Sequence, residues 1–211
     1  MRKDLITSLL AIVVLTVCLG LIYPLAITGI SQVLFPGKAN GSKVSLNGKV
    51  VGSSLIGQDF KGNPAYFQSR PSATAYSPDV TYFSNLGPNS VDARDAVREN
   101  LAAYLKRERP YDPELRADGP PSGAIGHFEA RGQGVPVDAV TESASGVDPH
   151  ISQANAWIQA HRIAAVRRLP LSQVEDLISA NTDGRSLGLL GEPGVNVLQL
   201  NIALDEEAPL K

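Results

Sequence analysis

Few side chains in this sequence are equipped for chemistry, and the best placed of them stand together between Thr141 and His150. Asp148-Pro149-His150 sets a carboxylate beside an imidazole, the components of an acid–base pair. The same three residues also read as the opening of a helix. Asp148 would then be the cap, Pro149 the first helical residue, and His150 part of the first turn. Just before them, Ser143, Ser145 and Gly146 could curl into a backbone nest for a phosphate, which makes them the candidate nucleotide contacts. Two local features oppose this reading: Asp148 would repel a phosphate at the helix mouth, and Pro149 lacks a backbone donor. A tight strand-to-helix turn is the plainer alternative. Arg70-Pro71-Ser72 offers a guanidinium that could dock an acidic partner or hydrogen-bond loop carbonyls. Asn85 is a second docking candidate.

Other catalytic chemistries lack their residues. His127 stands alone in a Gly-rich stretch, and His161 follows His150 by eleven positions, which is not ligand spacing for a metal. A single cysteine, Cys18, excludes an intramolecular disulfide and a Cys-based zinc site. Gly48-Lys49 has Lys43 where a phosphate loop needs glycine, and the Asp-Lys-Thr-Gly site of P-type pumps is missing. No Gly-x-Ser-x-Gly elbow, Ser-x-x-Lys pair or His-Glu-x-x-His helix occurs. The chain is expected to have no catalytic site, metal or cofactor of its own.

The elements that must position these residues begin with an apolar run. From Leu5 to Gly37 there is no Asp, Glu, Lys or Arg, and about 20 apolar residues suffice to cross a hydrocarbon core of about 30 Å. The run exceeds the apolar core of a cleaved secretory signal and lacks a small-residue cleavage site. It is read as an uncleaved single-pass anchor (residues 1–37) with a kink at Pro24. Basic residues flank it on both sides, Arg2 and Lys3 before, Lys38, Lys43 and Lys49 after. Because Arg2 and Lys3 abut the boundary, and a long domain translocates largely regardless of its own charge, the N-terminus is placed in the cytoplasm and the main domain outside. Thr16 and Gly20, four apart, and Ala26 and Gly29, three apart, are small residues that would let another helix approach closely.

Residues 38–211 carry 17 of the 19 basic and 20 of the 21 acidic residues, too little positive charge for nucleic acid. Val44–Val51 reads as a hairpin turning at Asn47-Gly48. A short strand is expected at Ala65–Gln68, a long loop over Ser69–Asn89, and a helix over Ser90–Arg109 stopped by Pro110. Pro110–Gln133 reads as loop and Val135–Val140 as strand. The helix opened by Asp148 buries Ile151, Ala154, Ile158 and Ala165, and Ser172-Gln173-Val174-Glu175 is a capping box for the next. Leu198, Leu200, Ile202 and Leu204 alternate with polar or small residues as a closing strand. The sum is one loop-rich extracytoplasmic α+β domain after a transmembrane helix. From these residues alone a tethered solute-binding domain, a tethered enzyme and an accessory subunit remain open.

An N-terminal anchor and five later segments, in order, resemble the C subunits of the Kdp potassium-importing P-type ATPase, the KdpC family. They are the anchor ending in Tyr23-Pro24, then Gly52–Gln58, Tyr66–Ala73, Ser84–Pro88, Val140–Ser152, and Gly184-Arg185 with Leu187–Pro193. Ala144 departs from the pattern, since the family often carries glycine there, and its methyl group weakens a phosphate-wrapping turn. The resemblance implies an accessory subunit in the cell (inner) membrane. Its partners would be a channel-like potassium-translocating subunit, an ATP-hydrolysing pump subunit, a very small peptide subunit and the lipid bilayer. It also implies assistance in assembly and a raised ATP affinity of the pump, as a catalytic chaperone, with ATP contact only within the complex.

Overall fold

The computed structural model describes residues 2–80, 82–113, 115 and 134–210. The chain divides into two compact units, Met1–Lys43 and Val44–Lys211. The expected loop over Pro110–Gln133, with His127, lies mostly outside the described residues.

In the first unit, α1 (Arg2–Val17) and α2 (Tyr23–Leu34) are joined by a widened turn, Cys18–Ile22, into a continuous helix of 33 residues. At about 1.5 Å per residue it spans about 50 Å, more than the hydrocarbon thickness. None of its described side chains is buried by the protein, so the apolar surface has no cover but what surrounds it. The widened turn has a local cause. Pro24 lacks an N–H, and its ring crowds the carbonyl four residues back; Tyr23 N–H accordingly bonds Cys18 O, five residues back. The widened turn thus lies about one turn before the proline at which a kink is expected. A short helix, α3 (Pro36–Ala39), follows.

The second unit is α+β. Strands β1 (Lys43–Leu46) and β2 (Lys49–Ser53) form the expected hairpin, with Asn47 at φ 51° and Gly48 at φ 76°. Both positive angles are what a two-residue turn of this hand requires. Among the described residues of 54–90 there are turns but no helix or strand, as expected for the loop over Ser69–Asn89 and unlike the strand expected at Ala65–Gln68. Helix α4 (Val91–Glu108) starts where Ser90 Oγ accepts from Ala93 N–H, with Asp92 in its first turn and Lys106 and Arg107 in its last, both matched to the helix dipole.

A small antiparallel sheet orders β3 (His150–Ile151), β5 (Gly194–Asn196) and β4 (Thr182–Asp183), with β5 central. Ile151 and Thr182 both face Val195 in register. Around it pack α5 (Gln153–Arg167), α6 (Leu171–Ala180) and α7 (Val197–Glu207). Phe67, Ile163, Ile178, Val195, Leu200 and Leu204 are among the fully buried side chains of that core. A second cluster gathers Tyr104, Leu115, Ala139, Val140 and Ile158.

Five expectations are corrected. Asp148 does not cap α5; Ser152 does, its Oγ accepting from Asn155 N–H, because His150-Ile151 is drawn into the sheet against Val195-Asn196. Helix α6 starts at Leu171 after Pro170, so Ser172 lies inside the first turn and the capping box is not built. The closing strand is helix α7, whose buried Val197, Leu200, Asn201 and Leu204 follow the i, i+3, i+4, i+7 spacing. Val135–Val140 holds a single 3-10 turn, Val137–Ala139, that aims the Asp138 carboxylate at Ser152 N–H, Ser152 Oγ and Asn155 Nδ2. Finally, Ala65–Gln68 pairs with side chains and not with a strand. Phe67 N–H donates to Asn201 Oδ1 (2.8 Å) and Phe67 O accepts from Asn201 Nδ2 (3.0 Å). Gln159 treats Gln68 in the same way, at 2.8 and 3.1 Å.

Between the two apolar clusters runs a buried polar spine. Asn155, Gln159 and Arg162 lie on one stripe of α5. Tyr104 OH donates to Asn155 Oδ1, Gln159 Nε2 donates to the same oxygen, and Arg162 Nη2 donates to Gln159 Oε1. Arg162 Nε meets both carboxylate oxygens of Glu108 at 3.2 and 3.0 Å, and Nη1 donates to Pro64 O and Tyr66 O.

Burial pushes the phenols of Tyr104 and Tyr76 up, and burial with a hydrogen bond to Asp205 does the same to Tyr66. A phenol that ionises near pH 10 when unfolded but resists ionisation when folded stabilises the fold fully below pH 10. That contribution is lost as the pH rises above it. The urea midpoint of the full chain in detergent is therefore expected to fall above about pH 10. Tyr104→Phe should flatten that fall while costing about 1 kcal/mol at neutral pH for its lost hydrogen bond.

Candidate functional site

The structure brings four of the sequence-expected site residues together. Arg70, Ser143, Ser145 and Gly146 come together where loop 69–76 meets loop 141–148. Asn85 is exposed, at φ 56°, its Nδ2 donating to Phe83 O in the segment that also carries the exposed rings of Tyr82 and Phe83. Thr16, Gly20, Ala26 and Gly29 are on the apolar helix. There a side chain at Gly20 would meet Thr16 Cγ2 at 3.8 Å and one at Gly29 would meet nothing within 4 Å, so both edges are open.

The two loops clasp each other through backbone carbonyls. Ser143 N–H donates to Pro71 O (2.9 Å), Ser72 Oγ donates to Gly146 O (2.6 Å), and Gly57 N–H closes the far side on Val147 O (2.7 Å). Glycine is required at two of these positions. Gly146 has φ 75° and a Cβ there would lie 2.6 Å from Thr74 Oγ1; a Cβ on Gly57 would lie 2.5 Å from Asp148 O. Ala144 is not among the residues of positive φ, so the departure from glycine is accommodated without backbone strain.

Arg70 fills the middle of the clasp. Its Nη1 pairs with Asp148 Oδ2 (3.1 Å), its Nη2 donates to Glu142 O (3.2 Å), and its own carbonyl accepts from Tyr76 OH. Arg70 Nε and Glu142 Oε2 are buried without a protein partner. Of the two expectations for this arginine, bonding to loop carbonyls is realised in the structure. The serines are engaged too: Ser145 Oγ accepts from Val147 N–H, Ser143 Oγ from Asp148 N–H, and Gly146 N–H donates to Ser143 O. The amides of Ser143, Gly146, Val147 and Asp148 therefore point into the clasp.

His150 shares its ring between Asp183 Oδ2 (3.0 Å from Nε2) and Asp148 Oδ1 (3.9 Å from Nδ1). The Asp183 contact links the two outer strands, β3 and β4, across β5, and both ion-pair partners of the imidazole are carboxylates and not a hydroxyl or thiol nucleophile. Among the described residues no group of three or more His, Cys, Asp or Glu could hold a metal. A cleft of about 310 Å³ opens beside the clasp, with Asp59, Arg70, Tyr76, Asn100 and Arg107 on its wall. Its cations are already matched, Arg70 by Asp148 and Arg107 by Glu108 at 2.6 Å, and Arg107 also lies over the Tyr104 ring.

The arrangement is thus a scaffold of interlocked loops, with Arg70 paired to Asp148 and the loop amides bonded within it. A family model described as K+-transporting ATPase, c chain, matches residues 5–206, nearly the whole length. The chain belongs to the KdpC family. Among its relatives, the potassium-transporting ATPase KdpC subunit of Koribacter versatilis is 45% identical over 100% of this chain and 98% of its own length. That of Methylobacterium nodulans is 46% identical over 99% of each, and that of Mycobacterium tuberculosis 44% over 97% and 99%. The KdpC match takes in the apolar helix and the α+β unit together, which makes the chain a membrane-associated transport subunit.

Sequence reasoning did not identify the polar spine of Asp138, Asn155, Gln159, Arg162 and Glu108. Its legible signal was Asn155, Gln159 and Arg162 at i, i+4 and i+7, where an exposed face and a buried polar stripe read alike.

Proposed function

We propose that this chain is a non-catalytic accessory subunit of an ATP-driven potassium import complex, holding partner subunits in place and raising the pump subunit's affinity for ATP. The observation that carries this reading is the family match over residues 5–206, anchor and domain alike. The interlocked loops support it, because their polar groups bond largely to one another and so brace the surface from within. The partners are a channel-like translocating subunit, an ATP-hydrolysing pump subunit and a small peptide subunit, with the N-terminus cytoplasmic and the α+β unit on the far side of the cell membrane.

With that topology the domain and cytoplasmic ATP lie on opposite sides, and the internally bonded amides around Ser143, Ser145 and Gly146 favour an indirect effect. The membrane helix would bias one conformation of the pump, which is coupling between distinct sites and is typically worth about 5–150-fold in affinity.

The test is copurification of the complex with wild-type chain, with Arg70→Ala and without the chain. Wild type should retain the larger subunits, and the half-saturating ATP concentration should rise severalfold without it. Arg70→Ala should loosen the clasp and lower recovery; unchanged recovery removes Arg70 from docking. Protease added to right-side-out vesicles should cut the domain, whereas cutting only in inverted vesicles rejects the topology.

A further inference from the structure

Residues 184–192 form a projecting loop whose backbone is tied at its base. Ser186 N–H donates to Leu190 O (2.8 Å) and Leu190 N–H to Ser186 O (2.9 Å), while Gly188 N–H returns to Arg185 O (3.0 Å). Arg185 Nη2 reaches both carboxylate oxygens of Glu192 at 2.9 and 2.8 Å across the neck. The tip carries Leu187, Leu189 and Leu190 at 91%, 81% and 63% exposure. The first two are the most exposed large apolar side chains among the described residues.

Nothing in the local geometry obliges leucine to stand there. Leu187 has φ 56°, a left-handed conformation that a branched side chain adopts at a cost and glycine adopts readily. Gly188 and Gly191, at φ 75° and 82°, supply the remaining bends. A strained leucine held outward on a braced loop has the form of a ligand that awaits its receptor.

Two kinds of cover suit exposed leucines, a lipid surface or a hollow in another protein. Loops that enter lipid headgroups carry Lys, Arg, Trp or Tyr as anchors. Residues 184–192 contain no Lys, Trp or Tyr, and their one arginine is neutralised by Glu192. The bonded neck also fixes the tip's shape before contact, which favours a shaped receptor by reducing the ordering cost of binding.

We infer that the Leu187–Leu190 tip seats in an apolar, uncharged hollow on another protein subunit of the same ATPase. This rests on the accessory-subunit reading and adds to it the surface that docks.

The assembled complex tests it. A photo-reactive side chain placed at position 189 should join this chain to another subunit on illumination. Attachment to lipid alone, or to no subunit of an intact complex, overturns the inference. Leu187→Ser/Leu189→Ser should weaken retention by about tenfold or more for each leucine removed. The urea midpoint of the isolated full chain should stay unchanged, since the exposed side chains support little of the fold. Equal retention of the double variant also overturns the inference while leaving the accessory role standing. If wild type itself copurifies with no ATPase subunit, both readings fall together.

Discussion

Glu108→Ala is expected to destabilise the α+β unit by about 3–5 kcal/mol, the usual cost of leaving one member of a buried ion pair without the other. Glu108 is fully buried and Arg162 is 1% exposed at the side chain, so the orphaned guanidinium would have no water to turn to. Burial already lowers the proton affinity of Arg162, and Glu108 is the group that offsets this. Whole domains are stable by about 5–15 kcal/mol, so the variant should lie near the limit of folding. In urea, at about 1–3 kcal/mol per molar, the midpoint should drop by one molar or more. Arg162→Met/Glu108→Leu should recover only part of the loss. Arg162 also donates to Pro64 O, Tyr66 O and Gln159, and those acceptors would remain buried. Full recovery would show that the pair is dispensable.

Asn201→Ala is the second large effect expected. Its carboxamide serves Phe67 N–H and Phe67 O together, standing in for the neighbouring strand that residues 65–68 lack. Truncation leaves two buried backbone groups unpaired at about 1–3 kcal/mol each, on a residue whose ring is fully buried in the main core. Asn201→Asp is the informative companion. The carboxylate can still accept from Phe67 N–H but cannot donate to Phe67 O. Its urea midpoint should therefore remain below that of wild type. Amide exchange at Phe67 should rise sharply in Asn201→Ala; protected exchange at wild-type levels would reject this account.

These two predictions also mark where sequence reading stops. Features decided by neighbours in the chain were legible: Asn47-Gly48 with its positive φ pair, a helix over Ser90–Arg109 that the fold builds as α4, and a charge-free run long enough for a membrane helix. Features decided by distant partners were not. Phe67 finds its hydrogen bonds 134 residues away on Asn201, which no local pattern announces. His150-Ile151 leaves the expected helix because Val195-Asn196 offers it a strand. In α7 the alternation of Leu198, Leu200, Ile202 and Leu204 mimicked a strand, while the buried set obeyed helical spacing. The clasp was half legible: its residues were singled out, but their internal bonding depends on loops about 70 positions apart.

The widened turn at Cys18–Ile22 has a consequence for any neighbour of the apolar helix. A helix advances about 100° per residue, so one residue absorbed in the turn rotates everything before it against everything after by about that angle. Thr16 and Ala26 therefore cannot be assigned to one seam by counting in threes and fours through the interval. The rod has two azimuthal phases, and a straight companion following one edge of its first half must part from that edge in the second.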